Sequence, residues 1–202
     1  MTSAPLSGSP RSAPLASRTI FWFALPQIPH GFAILPVINY VPAFYSDHFG
    51  LPLAMVGLML VLSRLTDVIT DPILGVMSDS LRTRFGRRKP FIVIGLPIMI
   101  VATWFVFVPS SAPTLDYLFW GLFFMYLGFT IVDIPYAAWG AELSSNYDER
   151  SKVAATRGAF GSLGSLFTLS IPVVMQALGF TDIAKIMMVM AIAFLITQPV
   201  FF

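Results

Sequence analysis

The chain has 202 residues, 56% of them hydrophobic and 11% charged. Soluble domains carry about 25% charged residues, so most of this chain is built to face lipid or other apolar helices rather than water. The net charge of +2 sits in clusters beside apolar runs, a membrane-topology pattern that argues against nucleic-acid binding, and the lack of cysteine excludes disulfides, thiolate metal sites and a cysteine nucleophile.

Residues 1–18 (MTSAPLSGSPRSAPLASR) are rich in Ser, Pro and Ala and predict a disordered terminus. The apolar run after Arg18 is longer than a signal h-region, is broken by prolines and lacks a small-residue cleavage site, which disfavours a secretory signal. Six apolar segments follow, at about 20–44, 52–77, 91–108, 117–141, 157–178 and 183–202. Each is near the roughly 20 residues a helix needs to cross hydrocarbon. They predict an all-α polytopic membrane protein, with residues 19–202 forming one six-helix bundle.

The first segment holds Pro26, Pro29, Pro36 and Pro42, which predicts a kinked or locally unwound helix. His30 lies between those prolines and reads either as a satisfied core residue or as a ligand. The second segment carries Arg64, Asp67 and Asp71 at mid-depth. The two aspartates, four apart, share a helix face, with Arg64 three residues earlier on nearly the same stripe. Two carboxylates one turn apart suit a hard cation, or a proton, since burial and a like charge both raise a carboxyl pKa. Arg64 could instead simply neutralise one of them. Ionisable groups inside a membrane segment ordinarily line a polar pathway or pair with one another.

Arg82, Arg84, Arg87, Arg88 and Lys89 crowd the connection to the third segment. With Gly75, Asp79 and Gly86 they form a candidate latch of directional carboxylate–guanidinium bonds, beyond the anchoring that basic loops provide. The fourth segment places Asp133 at its middle, with Thr130 three residues before it on the same face and Pro135 just after, freeing carbonyls near Ile131. Asp133 reads as a third cavity carboxylate, or as a partner for Arg64 or Arg157. Glu142 and residues 146–152 read as a solvated loop. Arg157, at the start of the fifth segment, either reaches into the cavity or snorkels to lipid phosphate. Gly158, Gly161, Ser162, Gly164 and Ser165 predict a close helix–helix seam.

Ten Lys and Arg residues fall on the side of the N-terminus and the 2–3 and 4–5 connections, against Lys185 on the other. This places both ends in the cytoplasm. The sixth segment runs to Phe202 without a polar tail, which predicts the first half of a longer protein.

Four stretches, R-L-T-D-V-I-T-D-P-I-L-G, S-D-S-L-R-T-R-F-G-R-R-K-P, V-D-I-P-Y and D-E-R-S-K-V-A-A-T-R, stand in this order and spacing across roughly 40–165. Together they resemble the glycoside–pentoside–hexuronide:cation symporters, the melibiose-permease branch of the major facilitator superfamily. The resemblance implies the six-helix N-terminal bundle of a major facilitator fold, with a second six-helix half as its partner and the substrate between them. It implies a multi-pass protein of the plasma (cell inner) membrane. It implies that Asp67 and Asp71 bind a coupling Na⁺, Li⁺ or H⁺, that Thr130 and Asp133 complete or border that site, and that Arg64 and Arg157 line the substrate cavity, where His30 and Tyr136 are further candidates. No other cofactor is implied. Two positions depart from the sugar-transporting pattern: His30-Gly31 replaces a basic–acidic pair, and Ala137 replaces a stacking tryptophan. The expected function is cation-coupled symport of a sugar, glycoside or other small organic solute. The alternatives are a Mg²⁺-dependent intramembrane prenyltransferase, which would need a second aspartate-rich motif, and a six-helix channel or interaction module.

Overall fold

The computed structural model describes residues 15–32, 34–81, 83–84, 86–109 and 112–201. Among them there are helices and no strands. Six helical spans are long and apolar enough to cross a membrane: Ser17–Asn39, Leu53–Ser80, Lys89–Phe107, Leu115–Glu142, Tyr147–Ala177 and Ile183–Val200. Of the terminus expected to be disordered, residues 1–14 lie outside the described residues, and Ser17 and Arg18 already belong to the first helix.

The first span is not one helix. It runs as Ser17–Ala24, Gln27–His30 and Ile34–Asn39, and the chain continues through Val41–Ala43 into a π-helical turn at Phe44–His48. Prolines 26, 29, 36 and 42 each lack an N–H, so carbonyls one turn earlier lose their intrahelical donors. A neighbouring helix answers one carbonyl of the break, since Ser165 Oγ donates to Gly31 O at 2.9 Å. The second span is divided at Thr66 into Leu53–Leu65 and Asp67–Ser80. Thr66 Oγ1 donates back to Ser63 O (2.6 Å) and Thr70 Oγ1 to Thr66 O (3.2 Å). Such back-bonding bends helices.

The third and fourth spans pack tightly because glycines remove the side chains between them. A Cβ on Gly128 would sit 2.6 Å from Met99 N, and one on Gly95 would sit 2.8 Å from side-chain carbons of Ile131 and Val132. Toward the end that carries the 1–2 and 3–4 connections, Tyr45, Phe107, Leu118, Leu122 and Met187 form the main apolar core. There the buried Tyr45 hydroxyl donates to Val106 O at 2.9 Å.

The fifth span begins at Tyr147, ten residues before the expected start at 157. The segment read as a solvated loop is its capped first turn. Asn146 accepts from Asp148 N (2.8 Å), Arg150 Nε donates to Ser144 O (2.7 Å), and Leu15 N donates to Glu149 Oε1 (3.0 Å). An Asn N-cap followed by Asp148 and Glu149 satisfies the orphan N–H groups and complements the helix dipole.

The second and fifth spans are the least buried, at 11% and 17%, against 33–44% for the other four. These two spans are therefore the ones left largely uncovered.

Candidate functional site

Three polar groupings stand out, each centred on residues that the sequence marks. The first joins the first, fourth and fifth spans. Arg157 Nη2 donates to Asp133 Oδ1 at 3.0 Å and to Gln27 Oε1 at 3.1 Å, and the guanidinium lies 4.4 Å from the Tyr136 ring centroid. His30 is fully buried, its Nε2 is 3.5 Å from the same Asp133 oxygen, and its ring stacks on Phe129 with centroids 4.0 Å apart. The Tyr136 hydroxyl donates to the Phe23 carbonyl, inside the first helix segment. A cavity of about 560 Å³ opens beside this group, lined by Gln27, His30, Phe129, Arg157 and Gly161 among others. Arg157 thus points into the bundle instead of snorkelling, and Asp133 pairs with Arg157 rather than with Arg64.

The second grouping is on the second span. Arg64 Nη1 binds Asp67 Oδ2 at 3.2 Å, and its guanidinium lies 4.4 Å from the Tyr126 ring centroid. Arg64 and Tyr126 line a smaller cavity of about 330 Å³. The other carboxylate oxygen, Asp67 Oδ1, is buried with no hydrogen-bond partner. A buried acceptor left unmade costs about 1–3 kcal/mol, more when it is charged. A carboxylate oxygen without a partner can take a proton or ligate a hard cation. Asp71 lies one turn further on and is exposed.

The two groupings remain apart. Among the described residues no three Asp, Glu, His or Cys side chains converge tightly enough to hold a metal ion. Asp67 and Asp71 share one helix, while Asp133 is committed across to the fifth span. Thr130 is buried on the fourth span, one turn before Asp133.

The third grouping is the basic connection after the second span. Arg88 is buried and bonds Asp79 Oδ1 (2.7 Å), Glu142 Oε1 (2.7 Å) and Ser78 Oγ (2.8 Å). Arg87 adds a longer contact to Glu142 at 3.4 Å. Burial alone would lower the Arg88 pKa, but the bonds to Glu142 and Asp79 outweigh it and hold the guanidinium above its ordinary value. Glu142 is therefore a member of the latch, contrary to its reading as a solvated carboxylate. Gly86 adopts φ +98°, in the left-handed region, and closes a turn with Thr83, whose Oγ1 donates to Gly86 O at 2.7 Å. Gly75 has nothing within 4 Å of where a Cβ would stand, so close packing does not explain it. Arg84 is exposed, and Arg82 lies outside the described residues.

Sequence reasoning missed Gln27, Tyr126 and Phe129. All three continue stripes it had marked: Gln27 precedes His30 by three, and Tyr126, Phe129, Asp133 and Tyr136 recur at intervals of three or four on one helix.

A family model described as MFS/sugar transport protein matches residues 22–201. The chain is 33% identical over 150 residues to the uncharacterized symporter sll1374 of Synechocystis sp., a match covering 70% of this chain and 28% of that protein. It is 30% identical over 155 residues to the glucuronide carrier protein homolog of Escherichia coli, covering 74% of this chain and 34% of the relative. It is 28% identical over 145 residues to the isoprimeverose transporter of Lactiplantibacillus pentosus, covering 68% and 30%. The chain thus spans about a third of the length of the curated relatives it matches. With charged pairs at mid-span, a six-span bundle and these relatives, the chain belongs to the MFS/sugar transport family of carriers, in its glycoside–pentoside–hexuronide:cation symporter branch.

Proposed function

We propose that this bundle is the cation-binding half of a symporter for a sugar, glycoside or related small organic solute. The observation that carries the reading is the free, buried Asp67 Oδ1, one turn from Asp71, on a span held in place by Arg64 and Tyr126. Na⁺, Li⁺ or H⁺ entering there supplies the partner that oxygen lacks and cancels the repulsion between the two carboxylates. In this reading Thr130 and Asp133, on the fourth span that packs against the second, border this site. The solute occupies the 560 Å³ cavity, where Arg157, His30 and Gln27 present polar groups and Phe129 a ring face, with Tyr136 behind Arg157. Names such as glucuronide carrier and isoprimeverose transporter among the relatives support a glycoside-sized solute.

A second six-helix half covers the exposed sides of the second and fifth spans in this reading and closes the cavity by alternating access. In this reading both ends of the bundle lie in the cytoplasm, which the cation count supports, and the membrane is the plasma (cell inner) membrane. Coupling is reciprocal: a solute that tightens when the cation binds must tighten the cation by the same factor.

The test is thermal unfolding of the purified protein with and without Na⁺, Li⁺ or Mg²⁺, beside Asp67→Asn and Asp71→Asn. A ligand that binds only the folded state stabilises by about 2.7 kcal/mol at a hundredfold excess over Kd. A Na⁺ or Li⁺ shift that both variants lose supports the reading. A pH-dependent shift lost in the same variants identifies H⁺. A shift with Mg²⁺ only, enhanced by a prenyl diphosphate, would instead indicate the enzyme alternative. A Na⁺ shift that persists in both variants sinks the assignment to these aspartates.

A further inference from the structure

The cations of the 2–3 connection do not all have the same use. Arg88 is spent on Asp79 and Glu142, and Arg87 on Glu142. Lys89 follows directly, begins the third span, is exposed, and has no carboxylate within 4 Å among the described residues. It stands at a cavity of about 430 Å³ between the first, third and fourth spans, whose other walls include Trp22, Phe23, Val93, Tyr136 and Trp139. Trp22 and Val93 are 58% and 68% exposed, so the cavity opens outward from the bundle.

We infer that this cavity is a specific site for an anionic phospholipid, the phosphate on Lys89 and the glycerol and upper acyl chain against the aromatic wall. Three observations point the same way. An uncompensated ammonium at a helix N-terminus favours an anion, through its own charge and the helix dipole. Aromatic rings with one apolar face and one polar edge suit the depth at which headgroup meets hydrocarbon. Basic pockets between spans on the positively charged side of a membrane protein recognise anionic headgroups. A free soluble anion would use the Lys89 charge but not the Trp22, Phe23 and Trp139 surface.

The lipid would also lie one side chain away from the cavity beside Arg157. Tyr136 walls the lipid site, and the same ring carries the Arg157 guanidinium. Lys89 is bonded in sequence to Arg88, the centre of the latch. The inference rests on the membrane setting of the bundle and not on which cation or solute is carried.

Native mass spectrometry of the detergent-solubilised chain, titrated with phosphatidylglycerol or phosphatidylcholine, tests it. Wild type should retain phosphatidylglycerol more tightly than phosphatidylcholine. Lys89→Gln should weaken phosphatidylglycerol roughly fivefold, the effect of one Lys near an anionic surface, while Lys152→Gln at the same end leaves it unchanged. Val93→Trp, which fills the cavity and keeps the charge, should weaken it as well. The site is refuted by equal retention of the two lipids, by Lys89→Gln and Lys152→Gln behaving alike, by an unaffected Val93→Trp, or by inorganic phosphate displacing the lipid at matched concentration. Circular dichroism on each variant separates loss of the site from loss of the fold.

Discussion

Asp133 and Arg157 meet through one oxygen and one nitrogen at 3.0 Å, and His30 approaches that same oxygen at 3.5 Å from a different span. Three helices are thus referenced to a single carboxylate. Arg157 is 14% exposed and Asp133 32%, so neither charge is well served by water if its partner is removed. Removing one member of a fully buried pair costs about 3–5 kcal/mol. With this degree of exposure we expect about 2–3 kcal/mol for Asp133→Asn or Arg157→Gln. The double variant should be less destabilised than the two losses added, because no uncompensated charge remains. Thermal unfolding of the four proteins in one detergent gives the coupling, and strict additivity would mean that the pair is not an energetic unit.

Gly164 and Ile28 set the approach of the fifth span to the broken first span. A Cβ on Gly164 would lie 1.9 Å from the Ile28 carbonyl oxygen, and one on Gly31 would lie 2.2 Å from Gly161 O. Both obstacles are backbone, which cannot rotate away. Overpacking typically costs about 1–3 kcal/mol and more where the backbone must shift, so Gly164→Ala should cost at least about 3 kcal/mol. Gly158, on the same helix, has open space where its Cβ would stand. Gly158→Ala should be neutral or stabilise by up to about 1 kcal/mol through helix propensity. Unfolding midpoints that fall equally for the two alanines would show that the seam is not set by this contact.

How much of this was readable beforehand depends on sequence separation. The Arg64–Asp67 bond follows from helical spacing alone, since residues three apart are neighbours on any helix. The small-residue seam is readable in part: Gly161, Gly164 and Ser165 fall on one face and make the close approach, while Gly158 and Ser162 are exposed, and the partners Gln27, Ile28 and Gly31 are not readable. Asp133 and Arg157 are 24 residues apart on different helices, and nothing local distinguished Arg157 from Arg64 as the partner. Glu142 was misread for the same reason: its partner Arg88 is 54 residues away, and a carboxylate at a helix end looks alike whether solvated or latched. The start of the fifth helix was misplaced for another reason. Hydropathy sees the charged run after Asn146 as loop, whereas the Asn cap and the acidic first turn signal a helix that begins before its apolar part.

Tyr126 and Arg64 hold the second span against the fourth, with the guanidinium 4.4 Å from the ring centroid. A cation over an aromatic face contributes about 0.5–2 kcal/mol, toward the upper end when desolvated. Tyr126 is buried but Arg64 is partly exposed, so the lower half of that range applies. Tyr126→Leu should lose about 1 kcal/mol, whereas Tyr126→Phe should stay within about 0.5 kcal/mol of wild type. If Tyr126→Phe is as damaging as Tyr126→Leu, the hydroxyl matters more than the ring face.

Arg88 and Glu142 lock the start of the third span to the end of the fourth at the basic end of the bundle. Two features separate Arg88 from its neighbour Arg87. Arg88 is 8% exposed with three bonds at 2.7–2.8 Å, while Arg87 is 45% exposed with one at 3.4 Å. Surface pairs contribute about 0–1 kcal/mol, and hydrogen bonds to charged groups about 1.5–3. Arg87→Ala should therefore change stability by less than about 0.5 kcal/mol. Arg88→Lys should cost about 2 kcal/mol despite keeping the charge, because an ammonium cannot reproduce the planar fork that reaches Asp79, Ser78 and Glu142 together. The pH dependence has a definite sign. The folded state holds the Arg88 proton more tightly than the unfolded chain does. Its contribution is therefore complete below the unfolded guanidinium pKa and is lost only as pH rises through the still higher folded value. The stability gap between wild type and Arg88→Ala should accordingly not shrink through deprotonation of Arg88 anywhere between neutral pH and pH 10. Unfolding midpoints of the pair across that range check this, and a gap that closes by pH 10 would mean that another group supplies the difference.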